Sequence, residues 1–237
     1  RDGSRRDARG RLHAGLGRLL QATSAPATCA ASSTSRRRPA TATRQTMFKL
    51  ADGERIVKMI GFDPRVLEVP EAAEGAEPEP PFAIAVSRGG MVTRFSLRQL
   101  RDPSTRSGRR HAPRHAERAA DEVLMVDLSP GDRKLACATR KAHALLTTDD
   151  EVPVLGGPGK GVKLIKLGKG DEVIGARVMG DSTAPLVLEN EKGKRFEITV
   201  WRTVTARGGK GQPLFKRGEL VREVPPEPTV PELSTQE

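Results

Sequence analysis

The sequence predicts an all-β protein built from a repeat of about fifty residues. Short runs rich in Val, Ile and Leu follow Met47 and are separated by Gly, Pro and charged turns, as in a chain of short strands. A loop of glycine and basic residues recurs at a constant spacing, and an acidic residue at the start of a predicted strand recurs in phase with it. A period of this length with several strands per copy indicates propeller-like blades.

Composition divides the chain into three segments. Residues 1–46 contain ten Arg and two Asp but no Val, Ile, Phe or Trp, so we expect a low-complexity segment that is mainly disordered. Residues 47–224 are expected to form the β domain, and residues 225–237, rich in Pro and Glu, an acidic tail. Because +8 of the formal net charge of +11 lies in residues 1–46, a β domain that binds a polyanion must segregate its charges by face.

The predicted strands follow one another at short intervals from residue 55 onward. A helical turn is predicted over 97–101 and an acidic loop over 68–81. The predicted strands are 55–62, 82–86, 91–97, 122–128, 134–139, 144–147, 161–167, 172–179, 186–188, 195–201 and 219–224.

Two anchors define the repeat. The basic residues Arg110, Lys160 and Lys210 each lie in a glycine-containing loop and are separated by 50 residues. Glu122 and Glu172 each follow the preceding basic anchor by 12 residues. Further acidic strand starts are Glu54 and Glu219. This phase predicts about three blades and part of a fourth, with the loops on the same edge of successive blades and the acidic residues in a structural role.

The glycine-basic loops are candidate phosphate-binding sites. Glycine permits a positive φ and exposes backbone N–H groups, while Lys and Arg add positive charge. The alternative is an ordinary β-turn with a solvated lysine. Aromatic residues make up only 3% of the chain, which favours contact with the backbone of a duplex over stacking on single strands. The candidate DNA-binding residues are Arg88, Arg94, Arg109, Arg110, Lys160, Lys163, Lys194, Arg195, Arg207 and Lys210.

Several other chemistries find no support in the sequence. No lysine that follows a glycine is followed by Ser or Thr, so a nucleotide-binding P-loop is excluded. Cys29 and Cys137, and the pair His111 and His115, match no metal-ligand spacing. No apolar run approaches the roughly 20 residues of a membrane span, so we expect a cytoplasmic protein. Trp201, the single tryptophan, is expected in the core.

The two best-formed repeats carry a resemblance. Residues 158–176, PGKGVKLIKLGKGDEVIGA, and 206–211, ARGGKG, resemble the C-terminal domain of the A subunit of bacterial type IIA DNA topoisomerases, namely DNA gyrase and topoisomerase IV. The resemblance covers about residues 47–225. It implies a β-pinwheel whose blades are linked by exchanged strands, with duplex DNA bent around a basic rim. The box 207–211 is a shortened version of the gyrase motif, which slightly favours topoisomerase IV.

The resemblance also implies the partners of this chain. These are duplex DNA, the topoisomerase B subunit, and the catalytic N-terminal part of the A subunit, in the cytoplasm and associated with the nucleoid. Because the family cleaves DNA with a tyrosine and this chain has no Tyr, we expect no catalysis and no cofactor here. ATP and magnesium would act through other domains or the B subunit. The alternatives are a β-propeller scaffold for protein interactions and an RNA-binding accessory protein.

Overall fold

The computed structural model describes residues 11–15, 19–24, 55–61, 80–100, 121–156, 160–181 and 183–227. Within these ranges the regular elements are strands and two short 3-10 turns, Leu97–Leu100 and Asp149–Glu151. No helix in the described residues is long and apolar enough to cross a membrane. The strands are β1 Arg11–Gly15, β2 Leu19–Ser24, β3 Arg55–Gly61, β4 Phe82–Ser87, β5 Met91–Ser96, β6 Val123–Ser129, β7 Lys134–Thr139, β8 His143–Thr148, β9 Val162–Lys163, β10 Val173–Met179, β11 Leu186–Asn190, β12 Arg195–Ile198, β13 Gln212–Pro213 and β14 Leu220–Val224.

The strands form four antiparallel sheets, which we call blades. Blade 1 has the order β1-β2-β3, blade 2 β6-β4-β5-β9, blade 3 β10-β7-β8-β13 and blade 4 β12-β11-β14. In blades 2 to 4 a hairpin is joined by a strand from later in the chain, which pairs with the first strand of that hairpin. Blade 1 differs, because β3 pairs with the second strand of its hairpin.

Blades 2 and 3 each receive a fourth strand from the following repeat. The two-residue strand β9 lies in the chain after the hairpin of blade 3, yet it pairs with β5 of blade 2. In the same way β13 follows the hairpin of blade 4 and pairs with β8 of blade 3. Val162 and Gln212 begin these strands 50 residues apart, so the period in the sequence is the period of strand exchange.

The core consists of three apolar clusters, one at each junction between neighbouring blades. Along β4, Ala83 and Ala85 face the cluster that includes Ile60 of blade 1, whereas Ile84 and Val86 face the cluster shared with blade 3. The central strands are therefore buried on both faces, which explains why they are continuous apolar runs. Each buried side chain of this size stabilises the fold by about 1.5–3 kcal/mol relative to an exposed one.

Blade 4 presents a polar outer face. Glu189 occupies the position on β11 that Val86 has on β4 and Ala138 has on β7. Its carboxylate forms ion pairs with Arg222 at 3.0 Å and with Arg195 at 3.7 Å. A terminal repeat requires such a face, because an apolar one would be left in water. The described stack of blades accordingly ends on charged side chains.

The structure confirms the all-β prediction and most of the predicted strands. The main difference is 161–167, where the strand covers only Val162–Lys163 because Leu164 and Ile165 turn into the core between blades 2 and 3. The predicted helical turn is the 3-10 turn Leu97–Leu100.

Two expectations are corrected. Within residues 1–46, Arg11–Gly15 and Leu19–Ser24 are strands rather than disordered chain, and the rest of that segment lies outside the described residues. Pairing with β3 uses backbone groups and needs no β-branched residue, and 11–24 contains no proline to interrupt it. Trp201 is 81% exposed and is not a core residue, because it lies beyond the end of β12. Of the tail, 228–237 lies outside the described residues.

Candidate nucleic-acid interface

The acidic strand starts cap the hairpin turn of their own blade. The Asp121 carboxylate accepts hydrogen bonds from Ser87 Oγ at 2.8 Å and from the Gly89 amide at 2.7 Å. In blade 3, Asp171 accepts a bond from the Lys141 amide at 3.0 Å. The neighbouring Glu122 accepts a bond from Arg88 Nε at 2.8 Å. The structural role that the sequence predicts for these acidic positions is therefore confirmed in blades 2 and 3.

The two described glycine-basic loops have the same geometry. Gly161 and Gly211 both adopt a positive φ, at 73° and 72°. Three residues after each glycine, a leucine amide donates to a carbonyl of a hairpin turn: Leu164 to Gly90 at 2.9 Å and Leu214 to Ala142 at 2.8 Å. These bonds fix each loop against the turn of the preceding blade.

Successive loops are in direct contact. The Gly208 amide donates to the Leu164 carbonyl at 2.6 Å, and the Lys166 amide donates to the Gly209 carbonyl at 2.8 Å. Arg207 Nη1 also donates to the Lys163 carbonyl at 3.3 Å. We call residues 160–167 and 205–211 the loop pair. The prediction that the loops share one edge is confirmed for these two copies, whereas the first copy, with Arg109 and Arg110, lies outside the described residues.

The loop pair carries four exposed lysines that we call the lysine ridge: Lys160, Lys163, Lys166 and Lys210. None of them forms an ion pair with another described residue. Their charges are thus available to an external polyanion. Lys166 was missed in the sequence analysis, although its position after the buried pair Leu164 and Ile165 is a signal, because the chain returns to solvent there.

Arg94 does not lie at this surface. It is 8% exposed, and its guanidinium lies 5.0 Å from the centre of the Phe82 ring. Burial lowers the pKa of Arg94, against the opposing effect of Asp149 and Asp150. The expected phosphate contact is corrected, because the charge is directed into blade 2, where these carboxylates balance it.

Three other candidate arginines are held by protein groups. Arg88 forms ion pairs with Glu122 at 2.8 Å and Glu172 at 4.0 Å. Arg207 Nε donates to the Glu151 carbonyl at 2.9 Å, in addition to its bond to the loop pair. Arg195 belongs to the ion-pair network of Glu189 on the outer face of blade 4.

Lys194 is exposed in the turn of blade 4. Its Nζ lies 5.4 Å from the centre of the Phe196 ring. The structure therefore brings together Lys160, Lys163, Arg207 and Lys210. It assigns most of the other described candidates to blade-to-blade contacts.

These features define the class of protein: an all-β pinwheel in which each repeat gives a strand to the preceding blade and successive basic loops adjoin. Residues 137–178 match the family described as DNA gyrase C-terminal domain, beta-propeller. The chain belongs to this family of C-terminal β-pinwheel domains of the type IIA topoisomerase A subunit.

Curated relatives support the assignment. The gyrase A protein of Aminobacterium colombiense (strain DSM 12261 / ALA-1) is 33% identical over 163 residues, which cover 68% of this chain and 18% of the relative. The gyrase A protein of Staphylococcus aureus (strain MRSA252) is 31% identical over 143 residues, or 59% of this chain and 16% of the relative. The chain thus spans less than a fifth of the length of these proteins.

Solved structures share the fold. The C-terminal domain of DNA topoisomerase IV has a TM-score of 0.58 at 19% identity, covering 76% of this chain and 53% of that one. A DNA gyrase A C-terminal domain has a TM-score of 0.55 at 14% identity, covering 92% and 66%. The likeness confirms the pinwheel architecture that the sequence predicts.

Proposed function

We propose that this chain binds duplex DNA without sequence specificity along the lysine ridge, bends it, and presents a DNA segment to the core of a bacterial type II topoisomerase. The observation that carries the proposal is the adjacency of two glycine-basic loops with unpaired lysines. Lysine contacts with phosphate fix the position of a duplex but carry no information about its sequence.

Rigid placement supports a defined DNA path. The lysine ridge is anchored by the exchanged strands and by backbone bonds between the loops, so its charges occupy fixed positions on successive blades. A flexible tail of equal charge would bind phosphates without directing them. Charges fixed around a curved array of blades instead favour a bent duplex, because bending brings more phosphates within reach.

The rest of the enzyme supplies the chemistry in this proposal. DNA cleavage belongs to the catalytic N-terminal part of the A subunit, since the chain has no Tyr. ATP hydrolysis with magnesium belongs to the B subunit. Both partners, and a cytoplasmic location at the nucleoid, follow from the relatives being components of DNA gyrase.

Two charge-matched variants test the binding surface. In the first, Lys160, Lys163 and Lys210 are changed to Glu; in the second, Arg1, Arg5 and Arg6 are changed to Glu. Both lower the net charge by the same amount. We expect only the ridge variant to weaken duplex binding strongly and to reduce the slope of log K against log salt by about 0.9 for each phosphate interaction removed. Equal losses in fluorescence anisotropy would show that net charge alone governs binding.

The same titrations separate the other functional classes. A protein-interaction scaffold predicts no salt-sensitive affinity for DNA. An RNA-binding accessory protein predicts that structured RNA competes more strongly than a duplex of the same length. The proposal predicts a preference for duplex DNA and a greater loss of that affinity in the ridge variant.

A further inference from the structure

The hairpin turns of blades 2 and 3 meet at one carboxylate. Glu172, at the start of β10, forms an ion pair with Arg140 in the turn of its own blade. It also lies 4.0 Å from Arg88 in the turn of blade 2. Only 24% of its side chain is exposed, so the carboxylate lies between two guanidinium groups from neighbouring blades.

Backbone bonds accompany this contact. The Arg140 amide donates to the Glu172 carbonyl at 2.9 Å, within blade 3. The next amide, that of Val173, donates to the Arg88 carbonyl at 2.9 Å, across the junction to blade 2. The equivalent bond between blades 3 and 4 runs from the Leu220 amide to the Arg140 carbonyl at 2.8 Å.

The side-chain contact at this junction is distinctive. Glu219 has the position in blade 4 that Glu172 has in blade 3, but it is exposed and forms no ion pair with a described residue. The junction between blades 2 and 3 is therefore held by both side chains and backbone, and that between blades 3 and 4 by the backbone bond. The described lysines of the ridge are fixed on the sheets and turns of blades 2 and 3.

We propose that Glu172 is a positioning residue that clasps blade 2 to blade 3 and thereby fixes the curvature of bound duplex DNA. This inference rests on the proposed function, since it concerns the path of the same duplex. Two arginines that would otherwise face phosphate are turned onto a carboxylate, and the angle between the blades that carry the ridge is restrained. The clasp acts on shape, while the lysines act on affinity.

The test compares Glu172→Gln with Glu191→Gln. Both remove one negative charge, but Glu191 is an exposed residue of the blade 4 turn with no ion pair among the described residues. A third variant combines Glu172→Gln with Arg140→Gln and restores the wild-type net charge. Curvature is measured by energy transfer between dyes at the ends of a duplex of about 60 base pairs, which is straight when free because its persistence length is about 150 base pairs.

Amide hydrogen exchange without DNA tests the clasp separately. In Glu172→Gln we expect exchange at Val173 to accelerate by about two- to fivefold, the factor for an ion pair near the surface, with Leu155 and Thr205 unchanged. With DNA at saturation, energy transfer should fall in Glu172→Gln and in the double variant but not in Glu191→Gln. The midpoint of binding should change alike in the two single variants.

Each result decides one step. Unchanged exchange at Val173 overturns the clasp, whatever DNA does. Accelerated exchange with wild-type energy transfer overturns the link to curvature. If wild-type protein binds no duplex, the proposed function fails, and the link to curvature fails with it, while the exchange data still report on the clasp.

Discussion

The replacement Gly211→Ala tests how the exchanged strands hold the blades together. A Cβ at Gly211 would lie 2.6 Å from the Ala144 carbonyl oxygen, about 0.8 Å inside the 3.4 Å at which ordinary contact begins. The residue also has φ +72°, which costs a non-glycine residue about 1–2 kcal/mol. To relieve the clash, β13 must move off β8 and weaken one or two hydrogen bonds at about 1 kcal/mol each.

The expected loss in the free energy of unfolding is about 2–4 kcal/mol. Two controls separate its components. Gly193 has φ +74° with nothing within 4 Å of its Cβ, so Gly193→Ala should cost only the backbone share, about 1–2 kcal/mol. Gly168 has neither feature, so Gly168→Ala should be neutral or slightly stabilising.

Urea unfolding of the full chain, followed by circular dichroism, gives the three values. Each kcal/mol also lowers Tm by about 2–4 °C in a domain of this size. A Gly211→Ala loss no greater than that of Gly193→Ala would refute the argument, because it would mean that β13 is not packed against β8 as described.

Three further predictions concern single side chains. Arg94→Met should leave duplex affinity within about twofold but lower the unfolding free energy by about 1–3 kcal/mol, since Asp149 and Asp150 lose a cation; a large loss of DNA affinity in anisotropy titrations would contradict its burial. Burial raises the pKa of the Cys137 thiol to about 12, above its usual value, so at pH 8 it should resist iodoacetamide until urea unfolds the domain. Peptide mass mapping reads this out, and rapid labelling of folded protein would count against it. Trp201 fluorescence should be quenched by acrylamide almost as strongly in folded as in unfolded protein, and strong protection on folding would place this side chain inside.

The sequence predicts the repeat well because the same contacts recur in every blade. Gly161 and Gly211 recur because each loop must pass close to the preceding sheet, and the acidic strand starts recur because they cap turns. The third turn shows the limit of this logic. Ala142 has φ 60° at the position of Gly90, so the turn persists without its glycine. Burial of Ala142 and the bond from the Leu214 amide offset the cost.

The candidate site was harder to predict because the fate of a charge depends on partners distant in sequence. Arg94 and Lys163 both lie on blade 2, yet one is balanced by Asp149 and Asp150 inside the blade and the other faces solvent. Pairing of Arg88 with Glu172 crosses 84 positions and a blade junction. No local pattern distinguishes an arginine that ties two blades from one that is free.

Strand exchange was implied by the family resemblance rather than by residue patterns. The exchanged strands contain only two residues each, too short for alternation to indicate a partner. Their pairing is instead decided by the buried leucines that follow them, Leu164 and, partly buried, Leu214.

The most direct test of the central claim is duplex affinity as a function of salt, measured by fluorescence anisotropy on the full chain. Four unpaired lysines on adjoining loops predict a slope of log K against log salt of about −3.6 or steeper, at about −0.9 per phosphate contact. The lysine ridge variant should give a clearly shallower line. A flat salt response of the wild-type protein, or parallel lines for the two proteins, would contradict the assignment of this edge as a DNA-binding surface.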